Sequence, residues 1–205
     1  PSHNDTQILK QLCIDLSRGC SIFELTKILG GRWVLVFLID GEYTILNDAC
    51  AFRQIFFSGI SDSFSISSQA KYLAELNGYK INKEREKCIN DYMKIDKEFS
   101  WVLDMTAYEE INRLLPNHYL QPSISTPKRY WPSAKREKGE YSKTVSKLAN
   151  ILVGMADSIS QRGPCAVTLT AGLDTRLIFT GFKNVMGKIK PVTLKYKDML
   201  IDDDD

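Results

Sequence analysis

Apolar residues recur at two spacings along the first two thirds of this chain, and each spacing predicts a different kind of element. Helical spacing predicts helices over 5–17, 23–29, 68–76 and 106–115. β-Branched and aromatic runs predict strands over 32–39, 43–47, 54–58 and 64–67. The dipeptide Asp40-Gly41 predicts a tight hairpin turn between the first two strands. We therefore expect an antiparallel meander whose sheet is covered by helices.

The apolar pattern changes between residues 120 and 139. Three prolines interrupt this stretch, and the charged run Lys135-Arg136-Glu137-Lys138 then ends at Gly139. Such a composition is typical of a linker between domains. We therefore expect two domains, one over 1–132 and the other over 133–205.

The pattern of the second domain begins with a long amphipathic helix over 141–160. Its predicted apolar side consists of Val145, Leu148, Ala149, Leu152, Val153 and Ala156. A strand from 165, a loop, a further helix and a second strand over 189–196 follow. This order is typical of a parallel, doubly wound α/β domain, in which ligands bind at the carboxyl ends of the strands. The predicted fold class is therefore α+β followed by α/β.

The segment 165–176 carries the most chemical information, because an apolar strand runs into a turn of small residues with one carboxylate and two hydroxyls. Thr170-Ala171-Gly172 would expose backbone N–H groups, and a helix beginning near Leu177 would turn its positive end toward the same point. We interpret the turn as a phosphate site, with Asp174 placed to hold a metal ion. A plain turn in which Asp174 only caps the helix is the alternative left open.

Composition and charge narrow the function classes. The formal net charge is +2, and Lys and Arg are scattered among Asp and Glu, which gives no argument for a nucleic-acid partner. No apolar run approaches the roughly 18 residues of a membrane span, and residues 1–7 lack the order of a signal peptide, so we expect a cytoplasmic protein without a membrane partner. Five irregularly spaced Cys predict reduced thiols. The four aspartates 202–205 are interpreted as a solvated tail.

Thr170-Ala171-Gly172-Leu173-Asp174-Thr175 resembles the pyrophosphate loop of the ATP-pyrophosphatase superfamily, whose usual form is Ser-Gly-Gly-x-Asp-Ser. Both hydroxyls are kept as threonine, Gly172 and Asp174 are in register, and Ala171 replaces the first glycine.

Five upstream segments resemble the asparagine synthetase family, in that family's order. They are residues 4–9, residues 29–40, residues 43–48 with 53–57, residues 64–73, and residues 111–120 with 129–131. The resemblance covers residues 4–178.

The resemblance implies an incomplete, Ntn-hydrolase-like glutaminase domain followed by the first units of an ATP-binding synthetase domain. It implies that Asp5 binds the α-amino group of glutamine. It also implies that Asp174 holds Mg²⁺ and that ATP and pyrophosphate are bound by Leu169, Thr170, Ala171, Gly172, Asp174 and Thr175. The implied reaction adenylates a substrate carboxylate and then aminates it with nitrogen from glutamine or ammonia. The expected partners are therefore small molecules, with a homodimer left open.

The chain also departs from the family. Asn47-Asp48 stands where the family has Arg-Asp, Ala51 or its neighbour where the hairpin has Gly, and Asn117, which tolerates a positive φ, where the linker has Gly. The family's nucleophile is an N-terminal Cys, whereas this sequence begins Pro1-Ser2-His3. We therefore expect a fragment of a longer ligase that does not itself hydrolyse glutamine by that route. A β-lactam or macrolactam synthetase-like relative and a non-catalytic fragment that keeps only the fold are the open alternatives.

Overall fold

A computed structural model describes residues 4–95, 102–124, 126–135 and 137–193. The chain forms two compact units. Pro1–Leu25 and Glu137–Asp205 make up one of them, here called the loop unit, and Thr26–Arg136 make up the other, here called the sheet unit. One border lies close to the domain boundary predicted after residue 132. The grouping of Pro1–Leu25 with the C-terminal part of the chain was not predicted.

The elements are numbered in chain order. The helices are α1 (Asp5–Ser17), α2 (Ile22–Leu25), α3 (Ala70–Asn77), α4 (Lys83–Ile95), α5 (Tyr141–Ser160) and α6 (Leu173–Gly181). The strands are β1 (Val34–Ile39), β2 (Glu42–Asn47), β3 (Phe56–Ser58), β4 (Ser65–Ser67), β5 (Asn112–Arg113), β6 (His118–Leu120), β7 (Lys128–Arg129), β8 (Cys165–Thr168) and β9 (Ile189–Val192). Short 3₁₀ turns occupy Thr26–Ile28, Ser61–Ser63 and Met186–Lys188. The protein therefore mixes helices with antiparallel sheets.

Several elements lie where the sequence pattern predicts them. The helices predicted over 5–17 and 141–160 are confirmed as α1 and α5. Asn4 caps α1 because its side chain accepts the Gln7 N–H while the Gln7 side chain accepts the Asn4 N–H, both at 2.9 Å. The hairpin turn is also confirmed, since Asp40 and Gly41 have φ values of 51° and 79°. Two successive positive φ angles are what a type I′ turn requires.

The described residues of the sheet unit form two antiparallel sheets, so the single predicted meander is wrong. One sheet has the strand order β1-β2-β6-β7 and the other has the order β4-β3-β5. The chain leaves the first sheet at Asp48, whose buried carboxylate accepts the backbone N–H groups of Cys50, Phe52 and Arg53. These bonds fold the segment back on itself, and β3 then pairs with β4 and β5 instead of β2.

The helix predicted over 106–115 is also wrong. The Thr106 hydroxyl donates to the carbonyl oxygen of Ile111 at 2.7 Å and accepts the N–H of Tyr108 at 3.1 Å, which closes a turn. β5 then pairs with β3. Bonding of a threonine hydroxyl to nearby backbone competes with helix formation, and here it prevails over the apolar spacing.

In the sheet unit, the spacing of apolar residues also failed to predict the exposure of part of α3 and the presence of α4. In α3, Leu73 and Ala74 are buried, but Leu76, which has the same helical spacing, is 77% exposed. The sequence pattern did not predict α4, a helix rich in charged residues that buries none of its side chains.

Two clusters of buried side chains form the core of the sheet unit among the described residues. One contains Ile45, Ile55, Phe57, Leu114 and Leu120. The other contains Phe56, Leu73, Ala74 and Ile111. Phe56 and Phe57 are neighbours on β3 and direct their side chains to opposite faces, so this strand connects the two clusters.

The loop unit is built on β8 and β9, which pair in parallel from Cys165 opposite Ile189 to Thr168 opposite Val192. Its core cluster contains Ala156, Val167 and Phe182. Residues 141–150 of α5 are exposed, so its predicted apolar side is packed only toward its C-terminal end, at Ala156. β9 occupies the first part of the strand predicted over 189–196, while positions 194–196 and the aspartates 202–205 lie outside the described residues.

Candidate functional site

The candidate site is the corner where β8 ends and α6 begins. Gly172 is the N-cap residue of α6, with extended backbone angles of φ −63° and ψ 145°. Leu173, Asp174 and Thr175 form the first helical turn, so their N–H groups have no carbonyl acceptor within the helix. Ala171, Gly172, Leu173 and Asp174 are all exposed. The helix therefore begins earlier than position 177, and its free amides face solvent at the predicted loop.

A pair of hydroxyls holds this corner together. The Thr170 and Thr175 hydroxyl oxygens lie 2.9 Å apart, and Thr175 Oγ1 also accepts the Thr170 N–H at 3.2 Å. Thr170 Oγ1 in turn accepts the Gly172 N–H at 3.2 Å. Both hydroxyls and the Gly172 amide thus bond within the loop, and their predicted contacts with phosphate stay a prediction. The amides of Ala171, Leu173 and Asp174 are better placed to meet an anion directly.

Hydrogen bonds to β9 and the residue after it hold the first part of the loop, at Leu169. The Leu169 N–H donates to the Val192 carbonyl at 3.0 Å, and the Thr193 hydroxyl donates to the Leu169 carbonyl at 2.6 Å. Leu169 therefore uses both backbone groups to hold the end of β8 beside β9. The role of Thr193 in holding this loop was not predicted from the sequence. The signal that could have found it is its position at the carboxyl end of the second parallel strand, where ligands of such sheets bind.

Asp174 is the second residue of α6 and does not act as its cap, because Gly172 holds that position and the structure shows no side-chain cap bond there. Asp174 is therefore not the N-cap, but it lies in the first turn of α6, and the plain turn stays the open alternative. Among the described residues no group of three or more His, Cys, Asp and Glu converges on a metal position. A magnesium ion at Asp174 would accordingly take most of its ligands from phosphate oxygens and water, as Mg²⁺ at nucleotide sites usually does.

Arg176 is a second charged side chain at this corner that the sequence analysis assigned no role. Its Nε donates to the Gly172 carbonyl at 3.4 Å, a long bond that leaves the other guanidinium N–H groups beside the loop. Gly172 itself has little room for a side chain, because a Cβ there would lie 3.2 Å from Thr170 Oγ1. The corner thus combines open amides, one carboxylate and one guanidinium.

Asp5, the predicted glutamine ligand, lies in the first turn of α1 within the loop unit. Its carboxylate accepts a hydrogen bond from Arg162 Nη2 at 3.1 Å, and both side chains are largely exposed. The structure therefore brings Asp5 to the segment between α5 and β8, and its glutamine role stays a prediction.

The departures in the sheet unit have clear structural consequences. Asn117 has a φ of 62°, so the predicted tolerance of a positive φ at this asparagine is confirmed. Ala51 also has a positive φ, 52°, inside the loop that Asp48 organises. Burial, together with the nearby charge of Asp48, raises the pKa of Tyr130. Asn47 is fully buried and donates to the Arg53 carbonyl at 2.9 Å, so it serves the fold of this segment.

A surface hollow of about 640 Å³ lies at the opposite edge of β8 and β9, at their amino ends. Cys165, Lys188 and Lys190 are among the residues that line it. The candidate site is not part of this hollow, since the loop projects from the carboxyl ends of the same strands.

No protein-family model matches the chain, and a search of curated proteins finds no significant match. None of the helices within the described ranges is long and apolar enough to cross a membrane.

Proposed function

We propose that this chain takes part in ATP-dependent amide formation of the asparagine synthetase kind, and that the corner between β8 and α6 binds the triphosphate of ATP. The observation that carries this proposal is the exposed first turn of α6, where free amides, Asp174 and Arg176 lie on one short segment. Backbone N–H groups at a helix N-terminus favour an anion through both hydrogen bonds and the helix dipole.

In the proposed reaction, an oxygen of the substrate carboxylate attacks the α-phosphorus of ATP. The bond from that phosphorus to the bridging oxygen breaks, and pyrophosphate leaves with the electron pair. An amine or ammonia then attacks the acyl carbon and displaces AMP. The amides of Ala171 and Leu173 and the guanidinium of Arg176 would stabilise the charge that develops on pyrophosphate. Magnesium, when bound at Asp174, would neutralise part of the same charge.

The finer fold assignment belongs to the same proposal. We propose that the sheet unit has an incomplete Ntn-hydrolase-like fold and that β8 and β9 begin a parallel nucleotide-binding sheet. The resemblance of five segments in one order supports the first part. The parallel register of β8 and β9, with α6 as the connection, supports the second.

Calorimetric titration of this chain with ATP and Mg²⁺ tests the nucleotide site. We expect binding that Asp174→Asn weakens by about tenfold or more, because the substitution removes the negative charge of the proposed ligand of the ion. The control is Asp62→Asn, which neutralises an exposed carboxylate on the 3₁₀ turn Ser61–Ser63 of the sheet unit and should leave the affinity unchanged. Absence of MgATP binding, or equal binding by both variants, would contradict the proposal.

The reaction itself is tested by isotope exchange between ATP and pyrophosphate in the presence of candidate carboxylates. We expect Asp174→Ala to abolish exchange while the circular dichroism spectrum stays unchanged. Retained exchange in this variant would remove Asp174 from the mechanism.

A further inference from the structure

β1 is an outer strand of its four-stranded sheet, and its residues Val-Leu-Val-Phe-Leu-Ile are all apolar. Within the described part of the chain, β1 pairs with β2 and with no other strand. Edge strands of soluble proteins are usually protected by lysine, proline or a bulge, because their open N–H and C=O groups pair readily with another strand. β1 contains no lysine or proline and pairs with β2 in unbroken register, so its edge is suited to pairing.

The hairpin determines which residues face the open edge. The Asp48 N–H donates to the Trp33 carbonyl at 3.0 Å, so Trp33 and Asp48 form a hydrogen-bonded pair. Such pairs alternate in an antiparallel ladder. The backbone groups of Val34, Val36 and Leu38 therefore point away from β2. The side chains of these three residues share one face and are 41%, 53% and 62% exposed.

We propose that β1 pairs antiparallel with β1 of a second copy of this chain, about a two-fold axis at Val36. In this register Val36 faces Val36 of the other copy, and Val34 faces Leu38. Only outward-pointing residues are then paired, as the ladder requires. The two four-stranded sheets join into one eight-stranded sheet with an isologous interface.

Charge favours a second copy over an unrelated strand. Arg32 and Asp40 lie four residues to either side of Val36, and both are exposed. The proposed register brings the end of each β1 that carries Arg32 beside the other copy's turn at Asp40, just beyond the strand, and opposite charges at these two ends attract. A shift by two residues in one direction would instead set Arg32 against Leu38. Arg32 also lies 5.4 Å from the centre of the Phe52 ring, which holds the guanidinium at this end of the strand.

Sedimentation equilibrium across a range of protein concentrations tests the proposal. We expect a reversible dimer, and we expect Arg32→Asp to weaken it about tenfold, because two attractions become two repulsions. Combining Arg32→Asp with Asp40→Arg should restore the dimer to within about twofold of the original. The matched control is Arg129→Asp, the same charge reversal on β7 at the opposite edge of the sheet, which should leave dimerisation unchanged.

A second variant tests the backbone pairing. Val36→Pro should abolish the dimer, since it removes an outward N–H while leaving the bonds from β1 to β2 in place. Hydrogen exchange on the original chain should show protection of Val34, Val36 and Leu38 that rises with protein concentration. A monomer at all concentrations would overturn the proposal, whether or not these amides are protected. Association that the charge variants leave unchanged would overturn it as well.

Discussion

The sheet unit and the loop unit differ in how their residues are held in place. In the sheet unit, Leu46, Ile111 and Leu114 are fully buried, and apolar clusters lie on both faces of β3. In the loop unit, apolar side chains such as Leu148 and Leu177 are about half exposed, and the corner at Thr170 is held by local hydrogen bonds. The proposed chemistry thus belongs to the unit with the smaller described core. Segments with few buried contacts open at lower free energy, which suits a loop that must rearrange around a ligand.

The largest effect is expected from a cavity in the sheet unit. Leu114→Ala should lower the free energy of unfolding by about 2–5 kcal/mol, because Leu114 is fully buried among Ile45, Ile55 and other apolar side chains. All three tryptophans lie in this unit, so their fluorescence during urea unfolding reports on it. Leu76→Ala, at an exposed position of α3, is the control and should change the value by less than about 0.5 kcal/mol. Equal losses from both variants would contradict the burial difference.

A smaller effect is expected where α5 and α6 of the loop unit touch. Gly181→Ala should cost about 1–3 kcal/mol, because its Cβ would lie 3.1 Å from the Leu152 carbonyl oxygen. Gly154 lies within α5 and has open space around the position of a Cβ. Gly154→Ala should therefore stabilise this helix by about 0.5–1 kcal/mol. Hydrogen exchange of α5 and α6 amides measures both changes. Stabilisation by Gly181→Ala as well as by Gly154→Ala would contradict the close contact at Gly181.

The smallest effect concerns the start of α5. The Ser142 hydroxyl, the Ser142 N–H and the Lys143 N–H all donate to Glu140 and lower its pKa. A carboxyl whose pKa is lowered by folding stabilises the folded state above its unfolded pKa of about 4.3, and this contribution is lost as the pH falls through the folded value. We expect amide protection in the first turn of α5 to decrease over that range.

Substitution tests this assignment. Glu140→Gln should remove the pH dependence of first-turn protection, while Glu137→Gln, at an exposed position just before the helix, should retain it. Persistence of the pH dependence in Glu140→Gln would assign the effect to another group.

Features that depend on neighbouring residues were predicted correctly from the sequence, whereas features that depend on contacts between distant residues were not. The turn at Asp40-Gly41 was predictable because its two residues alone set the required φ angles. The segment 106–115 was not, because the Thr106 hydroxyl and the pairing with β3 override its apolar spacing. In the candidate site, the sequence located the loop residues but assigned Thr170 and Thr175 to a ligand, whereas in the structure their hydroxyls bond to each other.

The sequence by itself determined the local features of this protein: α1 and α5, the hairpin turn, and a loop of small residues that ends at a helix. Each of these features depends on residues within a few positions of one another, so their spacing and type suffice to predict it. Only the tertiary structure decided that β3 leaves the first sheet, that Thr193 holds Leu169, and that Arg162 contacts Asp5. These contacts join residues far apart in the chain, and they form only once buried surface and chain connectivity have fixed which segments meet.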